Sequence, residues 1–228
     1  MSAHGEQIAR YKYPRTMHLP WSPGATSDDR YLASLAPFTG RRIVVTEKLD
    51  GENSTLYADG LHARSIDGRG HPSRNWLKRR HGEIAHLMPP TLRFCGENLF
   101  AKHSIYYEAL ESYFYLFSVW EGERCLSWEE TALWAEELSL PLPPVLYEGP
   151  WDEALLRGLH QRLDLERQEG YVLRPVDAFS RTDFPRLVGK WVRAHHVQSS
   201  KHWMHQQIVP NQLRAPARRD SDGAGAES

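Results

Sequence analysis

The stretch RRIVVTEKLDGENSTLYADG (Arg41–Gly60) decides how the rest of the chain is read. Three β-branched residues, Ile43, Val44 and Val45, form a short apolar run of the kind that becomes a buried strand. The run ends in Thr46-Glu47, then Lys48-Leu49-Asp50-Gly51, and a second strand-like segment follows. Lysine is among the residues least often buried. Two readings of Lys48 stand side by side: a solvated lysine beside a turn, or an amine placed at a strand end to do chemistry.

The surrounding composition narrows the field. With 228 residues, 40% of them apolar, the chain suits one large domain or two small ones. No apolar run approaches the roughly 18–20 residues a membrane helix needs. The N-terminus lacks the apolar core of a signal peptide, so the expectation is a cytoplasmic protein without membrane contact. Two cysteines, Cys95 and Cys125, make neither a disulfide framework nor a zinc site. The twelve histidines, His195–His196 included, show no compact ligand spacing.

A net charge of −1 excludes nucleic-acid binding by bulk charge alone, but the charge is unevenly spread. His62 to His81 holds Arg64, Arg69, Arg74, Lys78, Arg79 and Arg80 against the single acid Asp67. Such a segment reads either as polyanion contact or as a solvated helix face or loop.

Further strands are expected at Leu56–Tyr57 and Leu61–Ala63 around an Asp59-Gly60 turn, then at Thr91–Cys95, Tyr113–Trp120 and Arg124–Leu126. Ser127-Trp128-Glu129-Glu130 fits a capping box, with Trp134 and Leu138 on one face of the helix beyond it. Asp152 to Leu165 carries Leu155, Leu159 and Leu163 four apart and predicts a second helix. Strands resume at Tyr171–Arg174 and Leu187–Arg193. The last fifteen residues, RAPARRDSDGAGAES, have the composition of a disordered tail. Strands with helices inserted among them make the class α+β.

Lys-x-Asp-Gly by itself says little, but four further segments follow it in order. They are Phe94-Cys95-Gly96-Glu97-Asn98-Leu99, the aromatic run Tyr113-Phe114-Tyr115-Leu116-Phe117, Glu169-Gly170-Tyr171-Val172-Leu173-Arg174, and Val188-Gly189-Lys190-Trp191-Val192-Arg193. In this order the chain resembles the covalent nucleotidyltransferases: ATP-dependent DNA ligases, RNA ligases and mRNA capping enzymes. Thr46 to Arg193 carries the resemblance. Tyr13–Asp29 (YPRTMHLPWSPGATSDD) is also similar to the N-terminal segment of bacterial RNA-ligase-like proteins. Asn53 stands two positions after the motif glycine, where DNA ligases and capping enzymes usually have arginine. That resembles the RNA ligases of the phage and trypanosome-editing type.

The resemblance implies a nucleotidyltransferase core of antiparallel sheets flanked by helices, spanning 41–207. An irregular segment 1–40 would pack on it and a tail 208–228 would follow, with no sizeable C-terminal OB or helical domain. It implies an ATP-dependent RNA ligase joining 3′-hydroxyl and 5′-phosphate RNA ends, with Lys48 as nucleophile and Lys190 and Glu169 assisting. Glu47, Lys48, Asn53, Arg64, Glu97, Phe117, Glu169 and Lys190 would bind the nucleotide, with Phe117 stacking on the base. Glu169 and Glu97 would hold Mg²⁺ or Mn²⁺, and Arg74, Lys78, Arg79, Arg80 and Arg193 would contact RNA. An end-healing kinase or phosphatase is a possible partner. A DNA-strand ligase, a capping-type guanylyltransferase and a non-catalytic RNA-binding relative are the alternatives. Two departures from the family pattern stand out: Val188 occupies the place of a second lysine before Lys190, and only 35 residues follow Arg193.

Overall fold

The computed structural model describes residues 8–66, 70–194 and 207–215. Two sheets make up the architecture, and every pairing but one is antiparallel. The five-stranded sheet runs in the order β1 (Met17–His18), β11 (Gly189–Val192), β9 (Gly170–Pro175), β2 (Arg42–Glu47), β8 (Val145–Pro150). The six-stranded sheet runs β10 (Phe179–Ser180), β7 (Arg124–Cys125), β6 (Phe114–Glu121), β5 (Leu92–Asn98), β3 (Glu52–Tyr57), β4 (Gly60–Ala63). Only β1 and β11 pair in parallel.

Strand alternation sends one set of side chains outward and the other toward the space shared by the sheets. On the five-stranded sheet Ile43, Val45, Tyr171, Leu173 and Trp191 pack outward against Leu19, Phe38, Leu156 and Leu159. On the six-stranded sheet Leu56, Phe94, Phe114, Leu116 and Val119 pack against helix α1 (Asn75–Ile84) through Leu77 and Ile84. Helix α2 (Trp128–Glu137) covers the same face through Ala135, and Leu138 caps it. The intervening positions Thr46, Val172, Arg174 and Lys190 face Asn53, Glu97, Phe117 and Ser118 across a cavity. Two outward cores thus hold the inward faces open for a ligand.

The local expectations meet the structure in most places. The β3–β4 hairpin closes through Ala58–Asp59, with Gly60 at φ 152° as the first paired residue. Ser127 Oγ accepts from Glu130 N at 3.0 Å, and the Glu130 carboxylate accepts from Ser127 N at 2.8 Å, completing the capping box. The helix expected over Asp152–Leu165 is shorter. Helix α3 (Glu153–Gly158) gives way at Gly158 to a 3₁₀ turn, Leu159–Arg162, glycine being a poor helix former. Helix α4 (Phe184–Leu187) likewise takes the residues just before β11, so that strand starts at Gly189 rather than Leu187.

Residues 207–215 touch the core at a few points where a tail was expected from 208. Pro210 bridges to Ala101 and Leu213 to Leu110. Asn211 is 1% exposed; its Oδ1 accepts from Tyr107 N at 3.0 Å and its Nδ2 donates to Leu99 O at 2.7 Å. Asn211 is held by the two backbone groups it pairs with. Residues 216–228 and His195–Gln206, with the His195–His196 pair, lie outside the described residues. Among the described residues no helix is long and apolar enough to cross a membrane.

Asn211→Ala leaves two buried backbone groups unpaired and is expected to cost about 2–4 kcal/mol in denaturant unfolding. Exposed Val209→Ala is expected to stay within about 0.5 kcal/mol of the parent. An Asn211 variant as stable as the Val209 one would show that the strap does not bind the loop it crosses.

Candidate active site

Lys48 is held at its backbone first. Its N–H donates to Gly170 O at 2.9 Å, tying the end of β2 to the start of β9. Gly170 is required at that junction. Its φ is 155°, and a Cβ there would lie 2.0 Å from Trp191 O. Gly51 serves a similar close approach, since a Cβ there would sit 2.5 Å from Asn98 O on β5. The approach is to a neighbouring strand, and it lets Gly51 N–H donate to Glu97 Oε1 at 3.1 Å.

With the loop so fixed, the half-buried Lys48 ammonium meets Glu169, Nζ to Oε2 2.5 Å, and the Glu169 side chain is only 2% exposed. Asp50 is the loop's anchor. Its Oδ2 accepts from Ser104 N at 2.8 Å, Ser104 Oγ at 2.7 Å and Ile105 N at 2.9 Å. Its own N–H donates to Tyr107 Oη at 2.9 Å.

The charge balance favours cations. Burial alone would pull the Lys48 pKa down, but Glu169, Glu97 and Asp50 outweigh it, and the net direction is up. Burial pushes the Glu97 carboxyl up to about 8 against the pull of Lys48, with Glu169 and Asp50 adding to the rise. Lys190 shifts down, through burial and the nearby Lys48, against the opposing pull of Asp29. Three carboxylates around one ammonium form an all-oxygen donor set. Among the described residues no three His, Cys, Asp or Glu side chains form a cluster able to hold a metal by themselves. That set suits a hard cation which takes one or two carboxylates and completes its shell with water and phosphate, as Mg²⁺ does.

The eight residues expected to bind nucleotide, Glu47, Lys48, Asn53, Arg64, Glu97, Phe117, Glu169 and Lys190, all line one cavity of about 930 Å³. Glu47 Oε2 accepts from Gln168 Nε2 at 2.7 Å, and burial raises its pKa. Asn53 Oδ1 is buried without a hydrogen-bond partner.

Phe117 is set by a β-bulge. Cys95 pairs with Ser118 and Gly96 with Leu116, so Phe117 is the extra residue on β6. Phe114, Leu116 and Val119 therefore keep to the outer core while Phe117 and Ser118 both line the cavity. Tyr115 is buried with Leu49 and Leu99, and the partly buried Phe117 packs against the Trp120–Phe184 cluster and meets the edge of Tyr13, centroids 5.2 Å apart.

The expected RNA contacts are placed differently. Arg74 is 8% exposed and its guanidinium clasps Glu52, Nε–Oε2 2.7 Å and Nη2–Oε1 2.5 Å, so it is a structural pair at the cavity wall. Arg80 donates to Leu138 O at 2.9 Å and Ser139 O at 3.1 Å, closing the end of α2. Arg193 donates to Leu165 O. Lys78 and Arg79 are exposed on α1 and do not line the cavity. Residues not anticipated also face the cavity: Asp29, Arg15, Asp50, His71, His103 and Ser104. Asp50 was visible in Lys-x-Asp-Gly itself; Ser104 and Asp29 had no local signature.

A two-sheet core that closes on a lysine-carboxylate pair beneath an aromatic ring is that of the nucleotidyltransferases. The match to the RNA ligase family model, over residues 41–192, is more specific: the chain belongs to the RNA ligase family. No curated protein matches it. Among solved structures, an archaeal ATP-dependent RNA ligase shares the fold at TM-score 0.59 and 17% identity, over 83% of this chain and 50% of that one. A putative ATP-dependent DNA ligase from Aquifex aeolicus aligns at TM-score 0.52 and 18% identity, over 80% and 50%. A lysine-to-alanine variant of Naegleria gruberi RNA ligase with ATP and Mn aligns at 0.50 and 19%, over 71% and 52%. The chain spans about half the length of these structures.

Arg74→Ala strands the Glu52 carboxylate in a buried site, and a loss of about 3–5 kcal/mol is expected in chemical denaturation. Lys78→Ala and Arg79→Ala, on the exposed face, are expected to change stability by less than about 0.5 kcal/mol. Equal effects from all three would contradict the buried clasp.

Proposed function

We propose that this chain is an ATP-dependent RNA ligase that works through an adenylate on Lys48. The observation that carries the reading is the Lys48–Glu169 pair at 2.5 Å, in a cavity that also holds Glu97, Phe117 and Lys190, on a chain of the RNA ligase family.

In the first step the neutral Lys48 amine attacks the α-phosphorus of ATP. An N–P bond forms, the bond to the bridging oxygen breaks, pyrophosphate leaves and the amine gives up a proton. In the second, a 5′-phosphate oxygen of RNA attacks the same phosphorus; the N–P bond breaks and the lysine takes back a proton. In the third, a 3′-hydroxyl attacks the activated 5′-phosphate, forming a phosphodiester and expelling AMP.

The residues present divide these tasks. A lysine hydrogen-bonded to a carboxylate is held charged, and a charged amine cannot attack. Glu169 therefore parks Lys48 in position until positive charge draws the carboxylate away. Bound Mg²⁺ or Mn²⁺ on Glu169, with Glu97, would supply that charge and offset the phosphates; the Naegleria gruberi structure holds ATP and Mn. Phe117, on the cavity side of β6, offers a face for the purine. Glu97 and Arg64 would contact the ribose, Glu47 with Gln168 the adenine edge, and Asn53 a phosphate oxygen. Lys190 offers a second positive charge at the same cavity. With Arg74 and Arg80 committed to the fold, the exposed Lys78 and Arg79 remain, of the helix α1 segment's cations, for the RNA backbone.

Incubation with α-labelled ATP and Mg²⁺ or Mn²⁺ is expected to leave covalent label, retained on a denaturing gel and released by acid, on the wild-type chain and none on Lys48→Ala. Label on Lys48→Ala, or none on wild type with either metal, rejects the reading. Phe117→Ala is expected to raise the ATP concentration for half-maximal labelling by roughly 5- to 100-fold, the equivalent of about 1–3 kcal/mol of stacking. Transfer from the labelled protein to 5′-phosphorylated nicked and single strands, in RNA and DNA, is expected to favour RNA. Preferential sealing of all-DNA nicks would make it a DNA ligase.

A further inference from the structure

The segment His18–Asp29 (HLPWSPGATSDD) has no task in the chemistry above, yet it is built onto the strand that carries Lys190. The parallel register of β1 and β11 sets His18 opposite Lys190. Leu19 N donates to Lys190 O at 2.8 Å, Val192 N to Ser22 Oγ at 2.9 Å, and Gly24 N to Val192 O at 3.0 Å. Gly24 has to be glycine, because a Cβ would lie 2.3 Å from Arg193 O.

The chain then doubles back, with His18 N donating to Arg30 O at 2.7 Å and Leu32 N to His18 O at 2.8 Å. This return delivers Asp29 into the cavity wall, its Oδ1 3.6 Å from Lys190 Nζ. Asp29 is itself fixed. Its Oδ2 accepts from Thr26 N at 3.1 Å and Thr26 Oγ1 at 3.0 Å, and faces His18 Nε2 at 3.4 Å.

His18 is fully buried, and its Nδ1 lies 2.8 Å from Ser22 Oγ. Ser22 Oγ also accepts from Val192 N, so it ties the His18 ring to β11, and the ring's Nε2 faces the Asp29 carboxylate.

Each of the two cavity lysines therefore has its own carboxylate: Glu169 for Lys48 and Asp29 for Lys190. The two pairs differ in tightness, 2.5 Å against 3.6 Å. A lysine ammonium on a four-carbon stem is mobile unless something restrains it. A rigid but loosely paired carboxylate restrains it without locking it.

We propose that Asp29 is a positioning residue whose carboxylate, fixed by Thr26 and His18, keeps the Lys190 ammonium directed into the cavity until nucleotide phosphate takes it over. The inference rests on the Lys48 adenylation reading for the use to which Lys190 is put, but the Asp29–Lys190 pair is independent of it. It also gives the N-terminal segment a place in the active site.

The test uses the full chain with Asp29→Asn, which keeps the shape and removes the charge, and Asp29→Glu as the conservative variant. Trace acetylation with acetic anhydride at fixed pH, read per lysine by mass spectrometry, reports Lys190 directly. In Asp29→Asn its reactivity is expected to rise about three- to fivefold relative to the exposed Lys102, as a weak counter-ion is lost. The maximal rate of labelling from ATP is expected to fall roughly ten- to hundredfold, with the half-saturating ATP concentration within about twofold of wild type. Asp29→Glu is expected to recover part of both. Unchanged Lys190 reactivity overturns the proposal, as does a labelling loss that merely follows a loss of thermal stability. If wild type takes no label while Lys190 reactivity still rises in Asp29→Asn, the ligase reading fails and the ion-pair restraint stands, without its catalytic use.

Discussion

The junction of β2 with β9 supports everything else in the site. The antiparallel pairing of β2 with β9 ends in one backbone hydrogen bond, Lys48 N to Gly170 O, and one ion pair, Lys48 to Glu169, between residues 121 apart in sequence. Glu169 sits immediately before Gly170, so the same two-residue step that presents the carboxylate also presents the carbonyl. Gly170 makes this possible, since any side chain there would run into Trp191 O. Remove that contact and both the nucleophile and its partner lose their common frame, while the outward cores on either sheet would still assemble.

From that junction the electrostatics follow. Glu97, Glu169 and Asp50 converge on one ammonium, and a buried cluster of like charges is held only if some groups protonate or a cation joins them. The rise of Glu97 to about 8 is the protonation route. A divalent cation arriving with a triphosphate is the other. Asp50 has a different place, because Ser104 and Ile105 donate three hydrogen bonds to it. Its task is to fix the loop; Glu97 and Glu169 remain to respond to what binds.

How far this was legible in the sequence depends on the range of the interaction. The β-branched run before Lys48, the Ser127 capping box and the Asp59-Gly60 turn are local signals, and the structure agrees with them. The cavity residues came from the order of five short motifs, each sitting at a strand end or on a strand, and the structure brings them to one wall-to-wall space. What could not be read is pairing between distant segments. Arg74 and Arg80 look like surface cations in a basic run, but Glu52 and the carbonyls of Leu138 and Ser139 claim them. Asn211 sits beside a stretch with the composition of a tail, yet it satisfies a loop more than a hundred residues away in sequence. Neither partner of such a pair announces the other.

The bulge at Phe117 shows where patterning alone stops: alternation from Phe114 and Leu116 puts Phe117 on the cavity side, but not Ser118. Period-2 reading makes Tyr113, Tyr115 and Phe117 equivalent, and in a regular strand they would be. The extra residue opposite the Cys95–Gly96 step puts two successive side chains, Phe117 and Ser118, on the cavity side and restores the outer face at Val119. Gly96 accommodates it, since a Cβ there would meet the Phe114 ring at 2.3 Å. A glycine on one strand thus lets the neighbouring strand spend one residue on the ligand side without disturbing the core behind it. The aromatic ring reaches the cavity by ordinary alternation; sequence spacing carries no trace of the step that sends Ser118 there beside it.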